Sequence, residues 1–416
     1  MFKRYFEPGA LLSHQGFRNL WIGGFIMVTA SGAFPIAIAV AIIDAGGDAT
    51  TLGLVLAARL LSGVGLTLIG GVWADRLKRK YVMFWADLLR AIFMLILVFV
   101  SAESIPRWWM ALIVFIIGIG DAFGAPASSS ITPSVIPAEL LQQGNVVRGV
   151  TNRMGAILGP ALGGVSVAII GARDTFALVA FLMTICAILV IRIEEKPHPI
   201  PETRERFIDD LKDGLRTVWQ MPWVAAMILM ATAQLMIVLA AETVLLPIIT
   251  KREFDTNAVM AGASAAFALG GSISAIISMR LKVRHEGSFS LAVWSLLAVV
   301  PLVLAFPSAP WIIYLGYFIG GISVGPWDAF WPLAIQREVP REKQGRVFAV
   351  DHAGSAGLMP AGMALVGPVT AIFGERNFLI FAAIFHIIVN IIVLQVPGVR
   401  DMRTPRNSSI GEQEKP

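Results

Sequence analysis

Apolar runs of about 20 residues recur along the whole of this 416-residue chain, separated by short polar stretches. A helix needs about 20 such residues to cross a bilayer, so the runs read as membrane spans. Twelve are predicted, numbered span 1 to span 12: 19–43, 50–72, 80–101, 107–131, 147–170, 174–192, 223–249, 257–280, 287–306, 310–335, 346–373 and 376–397. A membrane barrel would instead show segments of about ten residues in strict alternation. Composition agrees: 15% of residues are charged, against about 25% in an ordinary soluble domain. The fold class is an all-α polytopic membrane protein with twelve transmembrane helices.

The first run is longer than a signal-peptide core and has no small-residue cleavage site, so it counts as a span. Cys186 stands alone, which excludes an intrachain disulfide, and no clustered metal ligands occur. Neither a metal nor a cofactor is expected. A pI near 9.5 could suggest nucleic acid, but the placement of the cations argues otherwise. Even-numbered loops and both termini carry 26 Lys and Arg, odd-numbered loops only Arg107, Arg173, Lys251, Arg252 and Arg376. That asymmetry follows the positive-inside rule and puts both termini in the cytoplasm. A bacterial inner (plasma) membrane is the expected location.

Two stretches recur half a chain apart. "GARDTFALVAF" at 171–181 returns as "GERNFLIFAA" at 374–383, and "RLKRK" at 76–80 as "RLKVR" at 280–284, offsets of 203 and 204. Six spans per half give a parallel pseudo-repeat, with a substrate site expected near midmembrane between the halves. The expected units are a bundle at 1–192, a linker at 193–222, a second bundle at 223–399 and a disordered tail at 400–416. In the linker, Phe207, Leu211, Leu215, Val218 and Trp219 share one helical face, which predicts an amphipathic helix along the cytoplasmic membrane surface.

"GGVWADRLKRK" at 70–80 concentrates five charges in six residues of an oily chain. It resembles the loop between spans 2 and 3 of the major facilitator superfamily, G-x-x-x-D-R-x-G-R-K, matching at Gly71, Asp75, Arg76, Arg79 and Lys80. Lys78 replaces the second glycine. The resemblance implies a conformational latch that stabilises the state closed to the cytoplasm. Gly71 would permit close helix approach and Asp75 would sit near the start of span 11, favoured by a helix N-terminus. The second-half counterpart has Met279 in place of Asp75, so the latch is one-sided.

"GAILGPALGG" at 155–164 resembles the span 5 signature of antiporter-type exporters through Gly155, Gly159, Pro160, Gly163 and Gly164. Its upstream glycine is replaced by Val146. Small residues let backbones touch, and Pro160 bends the helix. Arg59, "DLLR" at 87–90 and "DGLRTVWQMP" at 213–222 resemble the DHA3-type branch, which includes enterobactin and macrolide exporters.

A charge at the centre of a span costs roughly 2.5–3.5 kcal/mol even on lenient scales, so each needs a reason. Asp121 in span 4, Glu242 in span 7 and Asp328 in span 10 lie on helices that, by the family resemblance, line the central cavity. Desolvation favours the neutral form of a carboxylate, which suits a group that binds and releases a proton. These three are the expected proton-coupling residues, with structural charge pairing as the alternative for each. Asp87 and Arg90, spaced i, i+3, should pair with one another; with Arg59 they form an intramembrane charge set. Asp351 and His352 fall near the latch docking site, and His386 is expected to pack. Gln234, Trp327, Phe330 and Trp331 are candidates to bind a bulky amphipathic substrate.

No HExxH, GxSxG or Walker A pattern is present, so the chain is read as neither a membrane enzyme nor directly ATP-driven. The leading reading is a proton-driven exporter of a small amphipathic molecule, a drug or siderophore. Lipid or lysophospholipid translocation and facilitative transport remain alternatives. The expected partners are that substrate, protons and the lipid bilayer, with no nucleic acid; a monomer suffices.

Overall fold

The computed structural model describes residues 10–100, 105–195 and 207–404, which fold into helices joined by short connections, with no strands. Spans 1 to 4 are Gln15–Asp44, Ala49–Arg76, Arg79–Phe99 and Arg107–Ser130. Leu141–Ile191 runs as one 51-residue element broken by non-helical backbone at Gly171 (φ 80°, ψ 170°), which separates span 5 from span 6. Span 7 is Pro222–Phe254, span 8 Ala258–Ser278, span 9 Glu286–Ala305, span 11 Arg341–Phe373 and span 12 Glu375–Val393. With span 10 at Pro310–Glu338, the twelve expected spans are accounted for.

Local chemistry sets the boundaries. Asp48 caps span 2, its Oδ1 accepting from the Thr51 amide at 2.8 Å and satisfying an otherwise orphaned donor. Pro310 and Pro222 open spans 10 and 7, where a missing N–H costs nothing. Gly374 enters span 12 at φ 81°, the conformation of Gly171 at the start of span 6. The sequence repeat is thus a repeat of backbone geometry at positions where glycine is favoured.

Spans 1 to 6 pack as one bundle and spans 7 to 12 as the other. The halves meet closely at the end opposite the 76–80 loop. A methyl placed on Gly53 of span 2 would lie 2.1 Å from the Met363 carbonyl oxygen of span 11. One placed on Gly164 of span 5 would lie 2.0 Å from Ala261 Cβ of span 8. Lys251 Nζ stands 3.5 Å from Asp44 Oδ1 across the same boundary. Toward the 76–80 loop, here called the basic end, Val146, Val150 and Met154 of span 5 are exposed, as are Arg153 and Asp328.

Residues Phe207–Gln220 of the linker form a helix, which sits against the start of span 11, where Lys343 and Arg346 meet Asp213. Val218 is buried while Leu215 and Trp219 are exposed; the side chains of Phe207 and Leu211 lie outside the described residues. The tail corrects the boundary expected at 400. Residues 400–404 are folded onto the second bundle, Ser288 N donating to the Arg400 carbonyl at 3.0 Å and Thr404 N to Glu338 Oε2 at 3.0 Å. Backbone groups of this polar stretch find charged and capping partners, so polarity alone did not exclude it from the fold. The remainder of the tail lies outside the described residues.

Candidate functional site

Spans 2, 3 and 4 bring Arg59, Asp87, Arg90 and Asp121 into one chain of ion pairs. Arg59 Nε is 2.9 Å from Asp121 Oδ2, and Arg90 Nη1 is 2.9 Å from Asp121 Oδ1. Arg90 Nη2 also pairs with Asp87, one helical turn away, as the spacing predicts. Arg59 reaches span 1 as well, donating to Ser31 Oγ at 2.7 Å and lying 4.8 Å over the Phe34 ring. Arg90 is 2% exposed, so its guanidinium depends on these two carboxylates. Glycine makes room for it: a methyl on Gly120 would fall 2.6 Å from Arg90 Cγ. Two cations and two anions balance within the cluster.

Glu242 is placed differently. It follows a π-helical stretch of span 7, Leu235–Leu239, and among the described residues no cation lies within ion-pair distance of it. It interacts with Tyr317 of span 10, whose buried hydroxyl completes no well-formed hydrogen bond. Tyr317 was not singled out in the sequence, where it is one aromatic among many on an apolar helix. Asp328, exposed on span 10, has Arg153 of span 5 as its interacting cation in the other half. Arg153 reads in sequence as one more basic-end cation, although it lies inside the helix that carries the glycine motif.

The four aromatic and amide candidates come together inside the second bundle. Trp327 and Trp331 stack with centroids 5.4 Å apart, and Phe330 packs against Phe289 at 6.4 Å. Trp331 Nε1 donates to Asp351 Oδ2 at 2.9 Å, tying span 10 to span 11. Gln234 is 0% exposed. Its Nε2 donates to Asn390 Oδ1 at 2.8 Å, and its Oε1 accepts from Trp294 Nε1 at 2.6 Å. Phe330, Trp331 and Gln234 are buried in this conformation, leaving Trp327 as the partly accessible member. His386 packs as expected, donating from Nε2 to the Trp294 carbonyl at 2.9 Å.

This architecture has a sequence counterpart. The profile described as Major Facilitator Superfamily matches residues 20–357. The chain belongs to the major facilitator superfamily. Multidrug efflux pump Tap of Mycolicibacterium fortuitum is 25% identical over 379 residues, covering 87% of this chain and 90% of the relative. Macrolide efflux protein A of Streptococcus pyogenes is 24% identical over 371 residues, 86% and 89% of the two chains. Enterobactin exporter EntS of Escherichia coli O1:K1 / APEC is 28% identical over 278 residues, 65% of each. The crystal structure of nucleoside transporter NupG superposes with a TM-score of 0.71 at 13% identity, covering 91% of this chain and 98% of that one, a likeness of fold. The resemblance to efflux proteins read from the motifs is therefore borne out at the family level. The chain is a multi-pass membrane transporter of a small-molecule substrate, not an enzyme.

As a major facilitator protein it also carries its loop and glycine motifs in definite places. Arg79 Nη1 donates to the Ser130 carbonyl at 2.9 Å, and Lys80 Nζ to the Ile193 carbonyl at 3.0 Å, both within the first bundle. Glu195 accepts from the Arg79 and Lys80 amides, at 3.1 Å each, and so caps span 3. Arg76 is exposed, and the Asp75 side chain lies outside the described residues. The close approach expected at Gly71 occurs at its neighbour. A methyl on Gly70 would fall 2.2 Å from the Ala122 carbonyl oxygen, while one on Gly71 would meet nothing within 4 Å. The helical rotation between adjacent residues turns Gly70, not Gly71, toward span 4.

The span 5 motif packs as its small residues predict. Methyls on Gly155, Gly159 and Gly163 would fall 2.9 Å from Val28 Cγ1, 2.8 Å from the Thr29 carbonyl oxygen and 2.7 Å from Ala33 Cα, all on span 1. Pro160 lies within the helix beside Gly32. Gly164 faces span 8, so one motif serves both the first bundle and the seam between bundles.

Proposed function

We propose that this chain exports a small amphipathic molecule, a drug or siderophore, by proton antiport and alternating access. The basic end would face the cytoplasm of a bacterial inner membrane, and the monomer would be the working unit. The observation that carries the proposal is the contrast between Asp121 and Glu242. Asp121 is neutralised by two arginines, whereas Glu242, with Tyr317 near it and no cation within ion-pair distance among the described residues, loses its charge inside a bilayer only by taking a proton. Glu242 is therefore assigned the leading proton-carrying role among Asp121, Glu242 and Asp328. Asp121 would couple through rearrangement of its arginine partners, and Asp328 would meet a cationic cargo near the opening. The names of the efflux relatives support the direction of transport and the cargo class.

In alternating access the bundles rock about a site between them. The close contacts Gly53–Met363 and Gly164–Ala261 would form the outer seal in this state, with the cargo path open toward the cytoplasm. The 71–80 loop, with Gly71, Asp75, Arg76, Arg79 and Lys80, would latch the opposite state. Gln234, Phe330 and Trp331 would reach cargo only after the second bundle repacks.

The test is cargo-driven proton movement in proteoliposomes loaded with a pH-sensitive dye, using a panel of cationic drugs and catecholate siderophores. Proton flux elicited by a cargo and lost in Glu242→Gln is the expected result. Cargo transport without proton movement in the wild type would overturn antiport.

A further inference from the structure

An apolar groove of about 850 Å³ runs along the outside of the first bundle between spans 2, 3 and 4. Its walls are Trp73 and Phe123 on one side, ring centroids 5.7 Å apart, and Trp85, Leu89 and Ile92 of span 3 on the other. The outward face of span 3 is well exposed, Trp85 by 64%, while Val82, Ala86 and Arg90 turn inward. An exposed apolar face on a membrane-spanning helix looks into lipid.

The mouth of the groove is charged. Arg76 and Lys78 line it at the basic end, both are exposed, and neither side chain makes a hydrogen bond or ion pair among the described residues. Arg79 and Lys80, by contrast, are engaged by Ser130, Ile193 and Glu195. Two exposed cations therefore stand at the basic end of the groove, flanked by Trp73, Tyr81 and Trp85, residues of the type that anchors at the membrane interface. From Lys78 to Ile92 span 3 rises about 21 Å, more than the ~15 Å of hydrocarbon in one leaflet.

We infer that this groove holds one anionic phospholipid, its phosphate on Arg76 and Lys78 and an acyl chain laid between spans 2 and 3 along Trp85, Leu89 and Ile92. Charge complementarity selects the occupant, because an exposed apolar groove alone would take any lipid tail, whereas two exposed cations at its mouth favour a negative headgroup. Lys78 is the residue that departs from the family loop pattern, where glycine stands. The substitution adds a cation where the groove opens. The floor of the groove reaches Gly120, which packs on Arg90, so a seated lipid would bear on the helices that hold the Arg59–Asp121–Arg90 cluster.

The test is retention of lipid by the purified full-length protein, read by native mass spectrometry after exchange into detergent with dioleoyl phosphatidylglycerol or dioleoyl phosphatidylcholine. Wild type should retain phosphatidylglycerol over phosphatidylcholine. Lys78→Gln should weaken that retention about fivefold, the effect of one surface cation. Leu89→Trp, which fills the groove and keeps the charge, should reduce retention of both lipids. Excess inorganic phosphate should not displace the lipid. Equal retention of phosphatidylglycerol by wild type and both variants would overturn the assignment. So would equal retention of the two lipids by wild type, or displacement of phosphatidylglycerol by a cationic drug that binds Lys78→Gln more tightly, which would make the groove a cargo path.

Discussion

Arg59 Nε of span 2 lies 2.9 Å from Asp121 Oδ2 of span 4, while the other oxygen of that carboxylate belongs to Arg90. The two arginines are not equivalent. Arg59 retains Ser31 and the Phe34 ring when Asp121 is lost, whereas removing Arg90 leaves Asp87, buried at 3% exposure, with no cation. Arg90→Gln should therefore cost about 3–5 kcal/mol and lower the melting temperature sharply, and Arg59→Gln roughly 1 kcal/mol. Thermal unfolding in detergent checks the order; a larger loss in Arg59→Gln would contradict it.

Tyr317→Phe removes a buried hydroxyl that completes no well-formed hydrogen bond, so stability should be unchanged or slightly raised. If the hydroxyl serves Glu242, cargo-driven proton flux should nevertheless fall, with Glu242→Gln abolishing it. A variant with full proton flux and unchanged stability would strip Tyr317 of any role at Glu242.

The glycines of the chain divide by what surrounds them. Gly159→Leu would drive a side chain into Thr29 and Gly32 of span 1 and should abolish folded yield or cost several kcal/mol. Gly71→Ala meets open space and should leave the melting temperature equal or higher, since alanine favours helix by about 1 kcal/mol. Size-exclusion profiles and melting curves of the two variants are the measurement.

Sidedness can be read with thiols, because Cys186 is buried and silent. Val150→Cys, on the exposed basic part of span 5, should react with a membrane-impermeant maleimide in inside-out vesicles. Lys251→Cys should react only in right-side-out preparations. The reverse pattern would invert the proposed topology.

The linker gives a pH prediction. The hydrogen bond from Arg346, at 2.7 Å, is the leading cause that holds the Asp213 carboxyl below its ordinary value of 3.8. A depressed folded value means the contribution is complete above the unfolded value and is lost as pH falls through the lower, folded one. Docking of the linker helix on span 11 should thus be flat from pH 8 to 5 and weaken only below about 4. Asp213→Asn should raise hydrogen exchange across 207–220 throughout that range.

Hydropathy and spacing made the spans, the Asp87–Arg90 pair and the half-chain repeat legible, down to Gly171 and Gly374 sharing one backbone conformation. Those features are local, or repeat something local. The partners of Arg59 and Glu242 were not legible, because Asp121 and Tyr317 are 62 and 75 residues away and only helix packing sets who faces whom. The same limit applies to Gln234: a polar residue on a cavity-lining span reads as accessible, yet Trp294 and Asn390 consume its amide. One-residue rotation decided Gly70 over Gly71, a precision that a motif does not carry.

The linker is fastened at both ends, Glu195 to the start of span 3 and Asp213 to the start of span 11. Twelve peptide steps separate Glu195 from Phe207, a reach of at most about 40 Å. If both fastenings persist through the transport cycle, that length is a hard stop on how far the bundles can part at the basic end. The aperture presented to cargo would then be limited by a covalent leash, and inserting residues between 196 and 206 would lengthen the stroke without touching any residue that binds cargo or protons.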